Sequence, residues 1–461
     1  MLAKTRGGRI AVASRLGQWP RLGLAMLAAT GLACVDSRST EPSTVDPASA
    51  KPGGAGDPTV ASADPAAAPQ DTTLNVRVFG SNYDQGSKVD FARGGVVDPK
   101  LHVNSTTFGS STELVANVTV APDAATVSYD IVVTKSTGKK GIGTEKFAVL
   151  VPAELLSTTD GSRAGPVSAN GLIAGSIKSS CGIGSAPVLW DPAGQLIALP
   201  ALPGTCGGVA RDVNSAGVAV GSAYTGSSLS HNVLWVPSGG SYQAVPLPAL
   251  PDGSSPGAWG INETGWVVGA NSASVWSQAT GWQILPRPSG ATTCLGQITI
   301  NSLGAIVSGC TIAGQRRAVY WPSPTGPAVV LPLPAGGSEP TAWDINDAGA
   351  IVGAALIGTR KAVHRAIRWV PSGGTWITET LPDLGNGGYA HAINDAGQIA
   401  GAVYGTNGWD RPVLWEASGT LRQLEFEGGN AYARGLSDVG AGPIVAGSMN
   451  RTGWRAARWR P

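Results

Sequence analysis

Apolar positions in this chain come in short runs, and from residue 165 onward the runs recur in a fixed frame. The clearest copy is Ala342-Trp343-Asp344-Ile345-Asn346-Asp347-Ala348-Gly349-Ala350-Ile351-Val352-Gly353, echoed by His391-Ala392-Ile393-Asn394-Asp395-Ala396-Gly397-Gln398-Ile399-Ala400-Gly401. One apolar run leads up to the Asn and another restarts after the Gly. A helix would need a 3.6-residue period, so the frame predicts two strands joined by a tight turn. Asn and Asp side chains bond their own backbone and Gly accepts positive φ, which suits a bulged hairpin. Seven versions of the frame fit between residue 165 and the C-terminus.

A second signature follows each frame: a short apolar strand closing on Trp190, Trp235, Trp276, Trp321, Trp369, Trp415 or Trp459, spaced 45, 41, 45, 48, 46 and 44 residues apart. A turn such as Asp191-Pro192-Ala193-Gly194 comes next, then a strand ending in Leu-Pro, as at Leu199-Pro200 and Leu285-Pro286. Four short strands in each repeat of roughly 40–50 residues predict a β-propeller blade. The seven Trp are expected in the core between blades. The last unit stops just after Trp459 and lacks its fourth strand, while a strand-like segment from Phe147 to Leu156 precedes the first unit. That segment is expected to complete the last blade, close the ring and leave no open edge.

The rest of the chain reads differently. Residues 1–34 carry a basic start (Lys4, Arg6, Arg9, Arg15, Arg21) and an apolar run from Leu22 to Ala33 that is too short to span a membrane, which predicts an export signal. Residues 35–71 are rich in Ser, Thr, Pro, Ala and Asp and predict a disordered tether. Residues 72–152 hold four of the five Phe and no Trp. Strand-like runs there (Leu74–Phe79, Lys88–Ala92, Leu101–Asn104, Glu113–Val120, Tyr129–Thr134, Lys146–Val151) predict an immunoglobulin-like sandwich. The expected fold is therefore all-β: a seven-bladed β-propeller of four-stranded blades over 153–461, preceded by an Ig-like β-sandwich.

Three resemblances add an address. The frame from 153 to 461 resembles the HAF repeats of predicted extracellular bacterial proteins, roughly Ala-x-x-Ile-Asn-x-x-Gly-x-x-Val-Gly followed by His-Ala-Phe-x-Trp; His231 alone keeps the His. The run Val78-Phe79-Gly80-Ser81-Asn82-Tyr83, with the strands after it, is similar to an IPT/TIG domain, with Asn82-Tyr83 in place of the usual Gly-Phe turn. Gly31-Leu32-Ala33-Cys34 resembles a bacterial lipobox, which implies lipidation of Cys34, with Val35 after it favouring the outer membrane. Ordinary signal-peptidase cleavage is the alternative. These resemblances imply export and surface display rather than a mechanism.

Composition narrows the functions. With 32 Lys+Arg against 30 Asp+Glu the net charge is +2, so no nucleic-acid surface is expected. Four cysteines remain beside Cys34. Cys294 and Cys310 flank Asn301 on opposite arms of a predicted hairpin; Cys181 and Cys206 lie in two connections expected on one face. Disulfides Cys294–Cys310 and Cys181–Cys206 are expected, each adding about 3 kcal/mol, in an oxidising compartment. No Cys-x-x-Cys pair or calcium loop is present, so neither metal nor cofactor is expected.

Candidate ligand-binding residues are few. Trp409 and Trp454 fall in predicted loops between second and third strands, where a sugar could stack. Basic residues recur four positions before the Trp (His231, Arg317, Arg365, Arg411, Arg455), and acids recur in the Asn turns (Glu263, Asp347, Asp395, Asp438). These are read either as an anion-binding ring or as repeated ion pairs of the fold. No nucleophile elbow, zinc helix or phosphate loop occurs. His364 and His391 could meet between blades, or form an ordinary surface pair. The function expected is a non-enzymatic, monomeric binding or adhesion protein. It would be displayed on the bacterial outer membrane or cell surface, held by an N-terminal lipid anchor only, and would take an extracellular polymer or protein ligand. Otherwise it would be periplasmic or secreted. The alternatives are a propeller enzyme acting on glycans and a structural scaffold. Channel-facing groups decide among them: aromatics favour glycan binding, convergent charges an enzyme, Gly/Ala/Val lining a scaffold.

Overall fold

The computed structural model describes residues 56–181, 184–225, 229–358, 362–426, 428–437, 442–450 and 452–461. The expected signal with Cys34, the first part of the tether, and Asp438 lie outside the described residues. Among the described residues every regular element is a strand.

Strict alternation builds the N-terminal pair of sheets. Glu113–Val120 turns Leu114, Ala116, Val118 and Val120 inward and its other residues outward. It pairs with Thr72–Ser81 and Leu101–Ser110, and Thr59–Asp64 adds at the edge beyond Thr72–Ser81. The second sheet runs Ala67–Pro69, Lys140–Leu150, Ser128–Thr134, Lys88–Arg93, Val96–Val97. The two sheets share one core, in which Phe91 and Phe147 meet edge to face at 4.9 Å. Burying each such side chain contributes roughly 1.5–3 kcal/mol. Thr59–Asp64 and Ala67–Pro69 correct the expectation of a tether reaching residue 71. An edge strand needs little apolar surface: Val60 and Ala68 face the core, and backbone pairing holds the rest.

From residue 153 the described residues form seven antiparallel meanders of four strands, one of them with an extra short strand. Their innermost strands adjoin in order: Arg163–Val167, Gly207–Val213, Ala258–Ile261, Thr299–Ile300, Gly337–Ile345, Gly388–Ile393 and Asn430–Leu436, which returns to Arg163–Val167. The result is a propeller-like ring of sheets around a central channel.

Closure is narrower than expected. Only Ala153–Leu155 pairs with Trp454–Trp459, while Phe147 belongs to the sandwich strand Lys140–Leu150. The expected segment was too long because its two halves serve different cores. Arg458 latches the junction. It lies directly opposite Glu154, binds that carboxylate with Nε at 2.8 Å, and donates to the Pro192 and Ala193 carbonyls of the neighbouring sheet at 2.7 and 3.0 Å. The Arg458 guanidinium in turn holds the Glu154 carboxyl below the ordinary range.

The Trp strands explain the Leu-Pro endings. The indole N–H of Trp235 donates to the Pro200 carbonyl at 2.8 Å, Trp321 to Pro286 at 2.7 Å, Trp369 to Pro332 at 2.8 Å and Trp415 to Pro382 at 2.7 Å. Each proline lies two residues past the outer strand of the preceding sheet, so each indole fills one gap between sheets and bonds across it. At the closure, Trp190 uses Leu156 and Trp459 uses Glu425. The third sheet departs from expectation. Trp276 is only half-buried, and Trp282, directly opposite it on the next strand, donates to Pro248 at 2.9 Å instead. Both positions reach the same gap, and Trp282 is the one that fills it.

Both expected disulfides are present. Cys294 and Cys310 are paired cross-strand neighbours, and Cys181 joins Cys206 over a separation of 25 residues. They fit an oxidising, exported setting.

Candidate functional site

The inner strands all run the same way, so each level along them is a ring of equivalent positions. The level of the Asn turn is structural. The side-chain amides of Asn214, Asn262, Asn301 and Asn346 donate to the backbone carbonyl of the next Asn around the ring at 3.0–3.1 Å, and Asn394 donates to Ser437. Their Oδ1 atoms accept the N–H four residues on, as Ala350 N–H to Asn346 at 2.9 Å. Gly349, three residues after Asn346, sits at φ 78°, the left-handed conformation the frame predicts. Ser437 and Ser168 replace Asn at the closure, so the amide chain stops there.

The acids of the turns complete this ring. Glu263 accepts the Ser215 N–H, Asp347 the Ser302 N–H at 3.0 Å and Asp395 the Asp347 N–H at 2.7 Å. They clasp neighbouring sheets through backbone N–H groups.

Three residues before the Asn the ring changes character. The ladder slips there, between Ala210 and Asp212, Ala258 and Gly260, Ala342 and Asp344, Ala390 and Ala392, and Ala433 and Gly435. The extra residues are Arg211, Trp259, Trp343, His391 and Arg434. A bulge re-aims a side chain, and here it turns these five into the channel, a cavity of about 200 Å³ that Ile298 also lines. Of these, sequence reasoning singled out only His391, and as a partner of His364 rather than as a channel residue. The signal was partial: this position varies from Gly165 to Trp343 while the Asn and Gly of the frame recur.

The channel groups are coupled. Trp343 and His391 stack at 4.6 Å, and the Arg211 guanidinium lies 4.2 Å from the centre of Trp259. Burial, then the nearby Arg434 cation, lowers His391 to about 3, so its imidazole is neutral at physiological pH. Burial also lowers Arg211. One level nearer the turns, Asp212 accepts the Ile261 N–H and its own neighbour Val213 N–H, both at 2.9 Å. Asp344 accepts Ile393 and Ile345 in the same way. Burial pushes the Asp212 carboxyl up to about 7, opposed by those two N–H groups and reinforced by Asp344.

Toward the opposite mouth, where second and third strands are joined, aromatics continue outward. Tyr389 lies between the two histidines, 5.2 Å from His364 and 6.0 Å from His391. The histidines therefore form no surface pair: each faces Tyr389, and His391 is deep in the channel. Tyr432 and Trp454 pack at 5.0 Å; Arg434 lies over Tyr432, and Arg163 lies over Trp454 while donating to the Tyr432 hydroxyl at 2.7 Å.

The sequence candidates divide accordingly. Trp454 opens the strand Trp454–Trp459 instead of sitting in a loop, and it joins the aromatic mouth. Trp409 does lie in a loop and is 43% exposed, outside the channel. His231, Arg317, Arg365, Arg411 and Arg455 hold equivalent registers on third strands, roughly 10 Å outside the inner strand at usual strand spacing. At that radius they form no convergent anion ring. Arg365 pairs with Asp383, Arg317 with Gln315, and Arg411 lies over Phe426.

No family model matches the chain, and no curated protein matches it. Solved structures give distant likenesses. A Bacteroides thetaiotaomicron protein of unknown function is 12% identical with TM-score 0.38, over 88% of this chain and 98% of its own. Virginiamycin B lyase from Staphylococcus aureus is 14% identical with TM-score 0.43, over 67% and 98%. TolB from Acinetobacter baumannii is 9% identical with TM-score 0.34, over 73% and 77%. Scores this low carry no argument, and the architecture rests on the chain's own strand pairing.

Proposed function

We propose that this chain is an exported, surface-displayed binding protein in which a seven-bladed propeller of HAF-type repeats takes its ligand at the central channel. The Ig-like, IPT/TIG-type sandwich is its spacer and Cys34 its lipid anchor. One observation carries the reading. Beside a level of repeated Asn, the bulged level holds five large side chains of three kinds (Arg211, Trp259, Trp343, His391, Arg434) lining a cavity. A scaffold would have no use for them and would fill its channel with Gly, Ala or Val.

The second reading, a glycan-cleaving enzyme, draws support from Asp212, whose raised pKa suits a general acid. It is weaker because such chemistry needs a pair of available carboxylates. Both oxygens of Asp212 and of Asp344 already accept backbone N–H groups. The test is a binding panel of cell-wall polymers, capsular polymers and surface proteins, run with the full chain, Trp343→Ala and Trp409→Ala. Loss with Trp343→Ala alone is expected. Loss with Trp409→Ala alone would move the site to the outer loops. Polymer cleavage in the same incubations would establish the enzyme.

A further inference from the structure

We infer that the channel receives an acidic glycan, its carboxylate-bearing end entering from the mouth lined by Arg163, Tyr432, Trp454 and Arg434. The inference rests on the binding reading above and adds ligand class and direction.

The channel is polarised along its axis. Toward the Asn turns lie Glu263, Asp347 and Asp395, each occupied with a neighbouring N–H. At the bulged level and beyond it lie Arg211, Arg434 and Arg163. An anion approaching from the turn side meets carboxylates first; from the other side it meets guanidiniums. Among the described residues these three arginines make no ion pair. Each lies over an aromatic ring instead, at 4.2–4.6 Å. Stacking leaves the planar N–H edge of a guanidinium facing outward, the geometry that takes a carboxylate bidentately. Arg163 and Arg434 are solvent-exposed although they stand on inner strands; one Arg163 N–H is engaged by the Tyr432 hydroxyl, so Arg434 offers the freer edge to the mouth.

The rest of the surroundings fixes the class. A free anion would need no aromatic walls, whereas the ring faces here suit the C–H face of a sugar. A cavity of about 200 Å³ is below the roughly 300–1,000 Å³ of drug-sized sites, so it takes one small unit and leaves the remainder of a longer ligand on the mouth. The walls between the rings are polar: Gln297, Thr299 and Asp212. That suits a hydroxylated ring better than an apolar one. Single-stranded nucleic acid also stacks on aromatics, but it needs a basic track along its backbone, and the chain carries a net charge of only +2.

The experiment measures binding of polygalacturonate, its carboxyl-reduced neutral counterpart and a single-stranded oligonucleotide to the full chain, Arg434→Gln and Trp343→Ala, with melting curves for each. The expected result is saturable binding of polygalacturonate only, weakened by salt. Arg434→Gln should bind about tenfold more weakly, the loss of one charge-assisted contact, with its melting temperature unchanged. Equal binding of the neutral polymer, or preference for the oligonucleotide, would overturn the acidic-glycan inference while leaving the binding reading intact, provided Trp343→Ala abolishes it. Polygalacturonate binding untouched by either substitution would sink both. No binding of any probe would overturn the inference and put the channel's ligand outside this class.

Discussion

Two levels of the same channel, only three residues apart along each inner strand, follow opposite rules. At the Asn turn five sheets carry the same Asn, and its amide and carbonyl are engaged with the next sheet or its own turn. At the bulge five sheets carry Arg, Trp, Trp, His and Arg, and these side chains line a cavity. A repeated fold needs the same bond made once per repeat, so constancy marks the interactions that build it. Recognition by a ring breaks that symmetry, because a ligand is not itself sevenfold. Variation within a constant frame is the more informative signal.

The strongest way to break the comparison is through the gaps between sheets. Trp415→Ala removes a fully buried indole and its bond to the Pro382 carbonyl. It should lower stability by about 3–5 kcal/mol in denaturant unfolding, without changing ligand affinity at temperatures where it stays folded. Trp343→Ala should do the reverse. Half-buried and stacked on His391, it should cost only about 1 kcal/mol of stability while binding is lost. Equal stability losses would erase the distinction between framework and site tryptophans.

The Asn ring gives a smaller effect. Asn346→Ala leaves the Asn394 carbonyl and the Ala350 N–H buried without their partner. Two such groups should cost about 2–4 kcal/mol. The equivalent change at Ser437, where no amide chain passes to the next sheet, removes only the hydroxyl that accepts the Ile444 N–H and should cost about half as much. Unfolding midpoints of the two variants measure the difference. A larger loss at Ser437 would mean the closure, not the amide chain, holds the ring.

How much of this was legible follows from the same contrast. The Asn-x-x-Gly frame and the Trp strands recur, so periodicity exposed the sheets and both disulfides. The indole acceptors were hidden because a backbone carbonyl carries no sequence signature; Leu-Pro was visible as a pattern before its use was. Trp276 and Trp282 could not be told apart because they face each other across a two-strand pair. The channel residues other than His391 escaped because a bulge is a slip in register, invisible without the partner strand. The basic residues before the Trp attracted attention by recurring, and recurrence turned out to mark an outer radius. Thr59–Asp64 was overlooked because an edge strand with one inward Val hardly differs from a tether in composition.

The finest contrast is between two titratable groups, one at the bulge and one a level nearer the turns. The unfolded reference for His391 is 6.5 and its folded value about 3, so the unfolded chain binds the proton more readily. Its contribution is complete above pH 6.5 and is lost as pH falls toward 3. Asp212 runs the other way: its folded value of about 7 lies above its reference of 3.8, so its contribution is complete below about 3.8 and is lost as pH rises through 7. Between pH 7.5 and 5.5 the two oppose each other, and the wild-type chain should change little in stability. His391→Gln removes one side of the balance. It should therefore gain stability relative to wild type by about 1 kcal/mol on acidification over that range, read as the difference between the two unfolding curves. A constant difference would mean that His391 titrates as an ordinary exposed histidine, and that water reaches the channel more freely than the stacking on Trp343 implies.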